Sequence, residues 1–142
     1  MGTMSESEQN QYLEGYQLLV RLENGLNTIA KRHGVSFSQY LILKQIIENN
    51  CNEPSMLARA FVVSPPAMSR KLTALFREGK IVKLYNLKDE DQRITNLKVT
   101  EKGEAIVNTL NEEYAAILLP YSEKSEALMA QFIIIANQIL KK

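Results

Sequence analysis

The stretch SPPAMSRKLTALFREGKI, residues 64–81, decides the fold, because two adjacent prolines open a segment that otherwise has the pattern of an amphipathic helix. The first N–H groups of a helix have no intrahelical partner, so proline in the first turn removes no hydrogen bond, and its fixed φ suits helical entry. We therefore predict Ser64 as N-cap, Pro65 and Pro66 as the first helical residues, and a stop at Gly79. The apolar positions expected to be buried are Met68, Leu72, Leu75 and Phe76.

The opposite side of this helix carries groups that suit a DNA groove. These groups are Pro66, Ser69, Arg70 and Thr73. Arginine can contact guanine or a phosphate, serine can reach either, and proline can pack on a thymine methyl. We assign four further residues to the same DNA-contacting surface. They are Ser64, Lys71, Arg77 and, downstream, Lys88.

The segments on either side predict the remaining architecture. Helical periodicity from Tyr12 to Arg32, from Ser36 to Asn50 and over PSMLARAFVV at 54–63 gives three helices before the decisive one. Alternating residues around the polar turn KDEDQ predict a β-hairpin at 81–99. A long helix then starts at Thr100 and runs to Pro120, and a last helix is capped by Ser122. The predicted fold is mainly α with a small β-hairpin wing, an order of elements that matches a winged helix-turn-helix.

Charge is distributed unevenly along the chain. Its 142 residues fit one domain, and the net charge is only +1. Residues 59–102 nevertheless hold ten Lys/Arg and five Asp/Glu, leaving seven and eleven elsewhere. This local excess favours contact with nucleic acid. The longest apolar block, FIIIA at 132–136, is far below the roughly 20 residues that span a bilayer, so we expect a cytoplasmic protein with no membrane partner.

Two stretches, LARAFVVSPPAMSRKLTALFREGKI at 57–81 and DEDQRITNLKVTEKG at 89–103, resemble the MarR family of bacterial transcriptional regulators. The resemblance implies a single MarR-type domain over 1–142, with a winged helix-turn-helix lobe at about 36–100. It implies flanking dimerisation helices at about 5–33 and 101–142, an obligate homodimer, and a double-stranded, pseudo-palindromic DNA operator. It also implies that Arg93 enters the minor groove, that Asp91 braces it, and that Ser69 and Arg70 contact bases or phosphates.

The wing departs from the family pattern. Its tip often has Asp-Pro-x-Asp-Arg-Arg in this family, whereas residues 88–93 are KDEDQR, without the proline and one arginine. We expect a wing that grips DNA less tightly or moves more. A helix that starts with tandem proline is also atypical, so the base preference of relatives is not transferred.

Three classes of function follow from the sequence. The first is a regulator, generally a repressor, released when a small molecule or another signal changes the spacing of its wings. The second is a winged-helix protein-interaction module without DNA binding. The third is an enzyme. A further alternative is a thiol-based redox-sensing regulator that uses Cys51, the only cysteine. No adjacent cation would stabilise a Cys51 thiolate, so a structural thiol is favoured.

The sequence contains few residues that indicate an effector site, a metal site or a catalytic site. The resemblance implies an effector crevice between the dimerisation helices and the winged lobe. Candidates to line it are Tyr12, Tyr16, His33 and Tyr40, which could equally belong to the core. His33 suits a helix C-terminus through its dipole, and one histidine with one cysteine cannot build a zinc site, so no metal or cofactor is expected. No nucleophile and base pair or phosphate loop is visible, so no enzymatic activity is expected.

Overall fold

The computed structural model of the chain describes residues 2–85 and 95–141. Within them the elements follow the predicted order of three helices, the decisive helix, a hairpin and two further helices. Their bounds are α1 Glu6–Lys31, α2 Phe37–Asn49, α3 Pro54–Ala60, α4 Pro65–Arg77, β1 Ile81–Tyr85, β2 Thr95–Val99, α5 Glu101–Leu118, a 3-10 turn Leu119–Tyr121 and α6 Ser122–Leu140. The mainly helical fold with a two-stranded hairpin is confirmed.

The helix starts follow local capping chemistry. Ser36 and Gln39 form a capping box at α2, and Ser64 accepts a hydrogen bond from the Ala67 N–H at α4. Helix α1 begins six residues before the predicted Tyr12, because Ser5 and Glu8 build a second capping box within a stretch that lacks apolar periodicity. The predicted cap at Ser122 is wrong, because the 3-10 turn places Tyr121 at that position without a side-chain cap.

Helix ends use left-handed residues. The N–H groups of Gly79 and Lys80 bond to the carbonyls of Phe76 and Leu75, with Gly79 at φ 72°. This pair of bonds is the Schellman arrangement, in which the left-handed position favours glycine. Gly34 closes α1 in the same way at φ 80°. Helix α3 ends at Ala60, earlier than the predicted stretch 54–63.

The core of the first compact unit, residues 1–110, lies between the helix-turn-helix, the hairpin and the start of α5. Its largest fully buried side chains are Ile42, Leu43, Leu57, Met68, Leu75, Ile81, Val107 and Leu110. Strands β1 and β2 pair antiparallel with Ile81 opposite Val99. The Leu97 N–H donates to the Asn52 carbonyl at 2.8 Å, which ties the hairpin to the loop before α3.

The segment from Thr100 to Gly103 joins α5 to the end of α4. The Thr100 hydroxyl donates to the Gly79 carbonyl at 2.7 Å and accepts from the Gly103 N–H, and Lys102 donates to the Glu78 carbonyl. A Cβ at Gly103 would lie 2.5 Å from the Lys80 carbonyl oxygen, so only glycine permits this approach. Lys80 is buried, and its ammonium group bonds to Glu78 and to the Gly34 carbonyl.

The second compact unit, residues 111–142, contains the end of α5, the 3-10 turn and α6. None of the α6 residues is buried in the single chain, although the helix is rich in large apolar side chains. Those exposed by half or more include Leu128, Phe132, Ile133, Ile134, Ile135 and Ile139.

Candidate nucleic-acid interface

Helix α4 separates its two faces as the sequence predicts. Met68, Leu72 and Leu75 are buried against the core. The opposite side is exposed and consists of Pro66, Ser69, Arg70, Thr73 and Arg77. The prediction for Phe76 is wrong, because this ring lies at the edge of the buried face and is 48% exposed, covered on one side by the Lys83 ammonium group at 5.4 Å from its centroid.

The central groups of the exposed face remain available to a ligand. Within residues 2–85 and 95–141, Arg70 has neither a hydrogen-bond nor an ion-pair partner. Thr73 is exposed and donates its hydroxyl hydrogen to the Ser69 carbonyl at 2.8 Å, so its hydroxyl oxygen can still accept a hydrogen bond. From residue 54 to residue 77 the chain has four Lys/Arg and no Asp/Glu. This surface is therefore positive along both helices of the pair, which suits a polyanion.

Lys71 differs from its neighbours. It is half-buried, and its ammonium group donates to the Ser38 hydroxyl at 3.0 Å, across to α2. In this arrangement the side chain braces α4 against α2, and its positive charge lies beside the exposed face rather than at its centre.

The N-terminal end of α4 lacks the free N–H groups that most helix starts offer as hydrogen-bond donors. Pro65 and Pro66 have no N–H, and the N–H of Ala67 is bonded to the Ser64 hydroxyl at 3.3 Å. Helix N-termini bind phosphate through free N–H groups. This end therefore presents hydrocarbon, and the phosphate contacts must come from side chains.

The turn between α3 and α4 contains the least expected backbone conformation. The N–H groups of Val62 and Val63 bond to the carbonyls of Arg59 and Ala58, which is the same Schellman arrangement that ends α4. The left-handed position is occupied here by Val62 at φ 53°, a β-branched residue that is 90% exposed. Sequence reasoning missed this residue, since valine gives no signal of a left-handed conformation.

Three predicted site residues lie outside the described residues. They are the DNA-contacting candidates Lys88 and Arg93 and the predicted brace Asp91, all within the segment 86–94 between β1 and β2.

The four candidate effector residues do not share one surface within the described chain. Tyr12 and Tyr16 are 69% and 67% exposed on α1, whereas Tyr40 is 5% exposed and stacks on Phe37 with ring centroids 6.0 Å apart. Burial raises the pKa of the Tyr40 hydroxyl. His33 is half-buried and has an interaction partner.

Cys51 is buried at the end of α2. Burial, with a smaller contribution from the Glu53 carboxylate, raises the pKa of its thiol. A raised pKa leaves less thiolate at neutral pH and therefore less nucleophile. Across residues 2–85 and 95–141, no group of three His, Cys, Asp or Glu could hold a metal ion. No helix in that part of the chain is long and apolar enough to cross a membrane.

Comparison with solved structures identifies the fold. A structure described as MarR family transcription regulator SP03579 is 25% identical, covers 90% of this chain and 87% of its own, and superposes with a TM-score of 0.73. AbsC, a MarR family transcriptional regulator from Streptomyces coelicolor, is 17% identical, covers both chains completely and has a TM-score of 0.81. MepR from S. aureus, solved as a complex with DNA, is 17% identical and covers 92% of this chain and 97% of its own, with a TM-score of 0.72.

The resemblance to the MarR family that the sequence predicts is therefore confirmed at the level of the fold, over nearly the whole chain. No protein-family model matches the sequence, and no curated protein does either. The similar solved structures are transcription regulators, a class of proteins that are not enzymes.

Proposed function

We propose that the chain is a homodimeric, sequence-specific DNA-binding transcriptional regulator, acting as a repressor that a signal releases. The observation that carries this proposal is the exposed face of α4. Arg70 lacks a partner among the described residues, its neighbours Ser69 and Thr73 carry hydroxyl groups, and no acidic residue occurs between 54 and 77. On a winged helix-turn-helix, this helix is the one that enters the major groove.

The proposed division of labour follows the fold. The lobe at about 36–100 binds DNA, with base or phosphate contacts from Ser69 and Arg70 in the major groove. Ser64, Pro66, Thr73 and Arg77 lie beside them, Lys71 adds charge from the edge, and Lys88 and Arg93 would act from the hairpin tip, with Asp91 bracing Arg93. The exposure of α4, the DNA complex of the similar MepR structure and the basic charge of the segment support this assignment.

Dimerisation is the proposed role of the terminal helices, at about 5–33 and 101–142. Large apolar side chains on α1 and α6 are exposed in the single chain. An apolar surface of this extent is typical of a protein contact. Two lobes related by a two-fold axis would read a pseudo-palindrome with half-sites about one helical turn apart.

Release requires an effector that binds two arrangements of the lobes with different affinity. The tyrosines of α1 are exposed and would be available at an interface, whereas Tyr40 belongs to the core and would act only through packing. We therefore expect an effector to weaken DNA binding without unfolding the protein.

The experiment is selection of duplexes from a random library by the wild-type protein, followed by selection with Arg70→Ala and Arg93→Ala. We expect a two-fold symmetric consensus for the wild type and relaxed preference at one base pair per half-site for Arg70→Ala. Arg93→Ala should lose more affinity on A·T-rich flanks than on G·C-rich flanks, because a narrow minor groove attracts arginine. Failure of the wild type to enrich any duplex would reject the proposal and favour a protein-interaction module.

A further inference from the structure

Three exposed apolar side chains lie in the turn between α3 and α4 and in the first turn of α4. Val62, Pro65 and Pro66, here called the apolar tip, are all exposed, and Val62 and Pro65 line one groove between α3 and α4. The tip lies at the start of the exposed face that carries Ser69 and Arg70.

Folding alone gives no reason for a valine at this position. The Schellman turns that close α1 and α4 place Gly34 and Gly79 at the left-handed position, whereas the turn that closes α3 places Val62 there. A β-branched residue is strained at positive φ, and strain of this kind collects at functional sites. Because Val62 is 90% exposed, its side chain gains no burial in the free protein that would offset the strain.

The prolines change what the end of α4 can bind. With no N–H at Pro65 or Pro66 and the Ala67 N–H already bonded, the helix start cannot hold a phosphate through its backbone. It offers branched and ring hydrocarbon instead. In the major groove the apolar group that distinguishes one base from the others is the C5-methyl of thymine.

The surrounding charge identifies the partner. Arg59 and Arg70 are exposed on either side of the tip in the sequence, and no acidic residue occurs between 54 and 77. An apolar group within a positive surface suits the edge of a base between phosphate strands.

We propose that the apolar tip packs on thymine methyl groups in the major groove, and that Val62 determines a preference for an A·T pair in each half-site. This inference rests on the proposed DNA-binding function. The strain at Val62 is retained because the left-handed backbone directs its two methyl groups out of the fold, where a glycine would offer none.

The test uses a duplex selected by the wild-type protein. Each deoxythymidine is replaced in turn by deoxyuridine, whose base differs from thymine only by lacking the C5-methyl group. At one position per half-site we expect the replacement to weaken wild-type binding about fourfold, the effect of burying one hydrocarbon group. Val62→Gly should weaken binding to the thymine duplex by a similar factor, and should show no further loss when that thymine is replaced.

Two substitutions of Val62 separate the loss of its contact with the thymine methyl group from the change in backbone freedom. Val62→Gly should raise the melting temperature, since glycine adopts positive φ without strain. Val62→Ala keeps a Cβ and therefore restricts the backbone more than glycine does. Its DNA affinity should likewise no longer depend on the thymine methyl group.

The outcomes distinguish this inference from the function on which it rests. If the wild type selects a duplex but no deoxyuridine replacement changes its affinity, or if Val62→Gly loses affinity equally on both duplexes, the tip does not contact a methyl group and the inference is wrong. If Val62→Gly binds every duplex like the wild type, the tip is free on DNA and a protein partner becomes the better assignment. If the wild type selects no duplex at all, the proposed function itself fails.

Discussion

At the scale of single residues, the reactivity of Cys51 tests whether it is a structural thiol or a redox sensor. Its thiol is buried, and its pKa is raised by burial and by the Glu53 carboxylate. We predict slow reaction with an alkylating reagent at pH 7 and unaltered DNA binding and effector response in Cys51→Ser. Because the unfolded thiol ionises first, Cys51 should also make the folded state less stable as the pH rises from the unfolded pKa to the folded pKa. Rapid alkylation of the folded protein, or loss of the response in Cys51→Ser, would support the redox alternative.

At the residue level, the sequence predicts burial correctly where helical periodicity determines it. It fails where an unusual backbone conformation or a position at the edge of a helix face determines the outcome. Spacing alone places Met68 and Leu72 in the core and Arg70 outside it. The left-handed conformation of Val62 could not be predicted, because a β-branched side chain argues against it. The burial of Lys80 could not be predicted either, because its ammonium group bonds to the carbonyl of Gly34, which is distant in the sequence.

At the scale of elements, the junction between the end of α4 and the start of α5 depends on Gly103. We predict that Gly103→Ala lowers the free energy of unfolding by about 1 to 3 kcal/mol, because the new Cβ would overlap the Lys80 carbonyl and the Val99 side chain. Gly25→Ala is the matched control in α1. In the single chain nothing lies within 4 Å of its added Cβ, so it should stabilise the helix by about 0.5 to 1 kcal/mol. Equal effects of the two changes in urea denaturation would contradict this account of the junction.

The start of α4 gives a second prediction at this scale. Ser64→Ala removes the acceptor for the Ala67 N–H and should cost about 0.5 to 2 kcal/mol of stability. Ser69→Ala, in the exposed interior of the same helix, should be neutral or slightly stabilising, because alanine favours helix more than serine. Both values come from urea denaturation, and a cost at Ser69 as large as that at Ser64 would show that capping is not the cause.

Element boundaries follow from the sequence where one cap residue defines them. Ser36 and Ser64 mark the starts of α2 and α4, and Gly79 marks the end of α4. Periodicity alone places the start of α1 too late, since its capping box precedes the first apolar residue of the periodic pattern, whereas the helix range of about 5–33 implied by the resemblance includes the observed start at Glu6. The 3-10 turn before α6 gave no separate signal, because Pro120 fits the end of a helix equally well.

At the scale of the whole molecule, the apolar residues of α1 and α6 predict an obligate dimer. Leu13, Leu22, Phe132 and Ile135 are each at least half exposed in the single chain. We expect sedimentation to show a homodimer at micromolar concentration. Ile135→Asp should shift the equilibrium towards monomer, because association would bury an unpaired carboxylate. A monomer whose mass is independent of concentration would remove both the dimer and the two-site model of DNA binding.

DNA binding by the exposed face of α4 is tested most directly by measuring the affinity for the selected duplex over a range of salt concentrations. Wild-type affinity should fall as salt increases, because phosphate contacts release counterions. Arg70→Ala should bind more weakly by about 1 to 3 kcal/mol per half-site if it contacts a base, or lower the salt slope by about 0.9 for each phosphate charge no longer neutralised. Lys44→Ala is the control, since it removes the same unit charge from α2 rather than from the exposed face of α4, and it should follow the wild type. If folded, dimeric Arg70→Ala also followed the wild type at every salt concentration, DNA binding by this face would be contradicted.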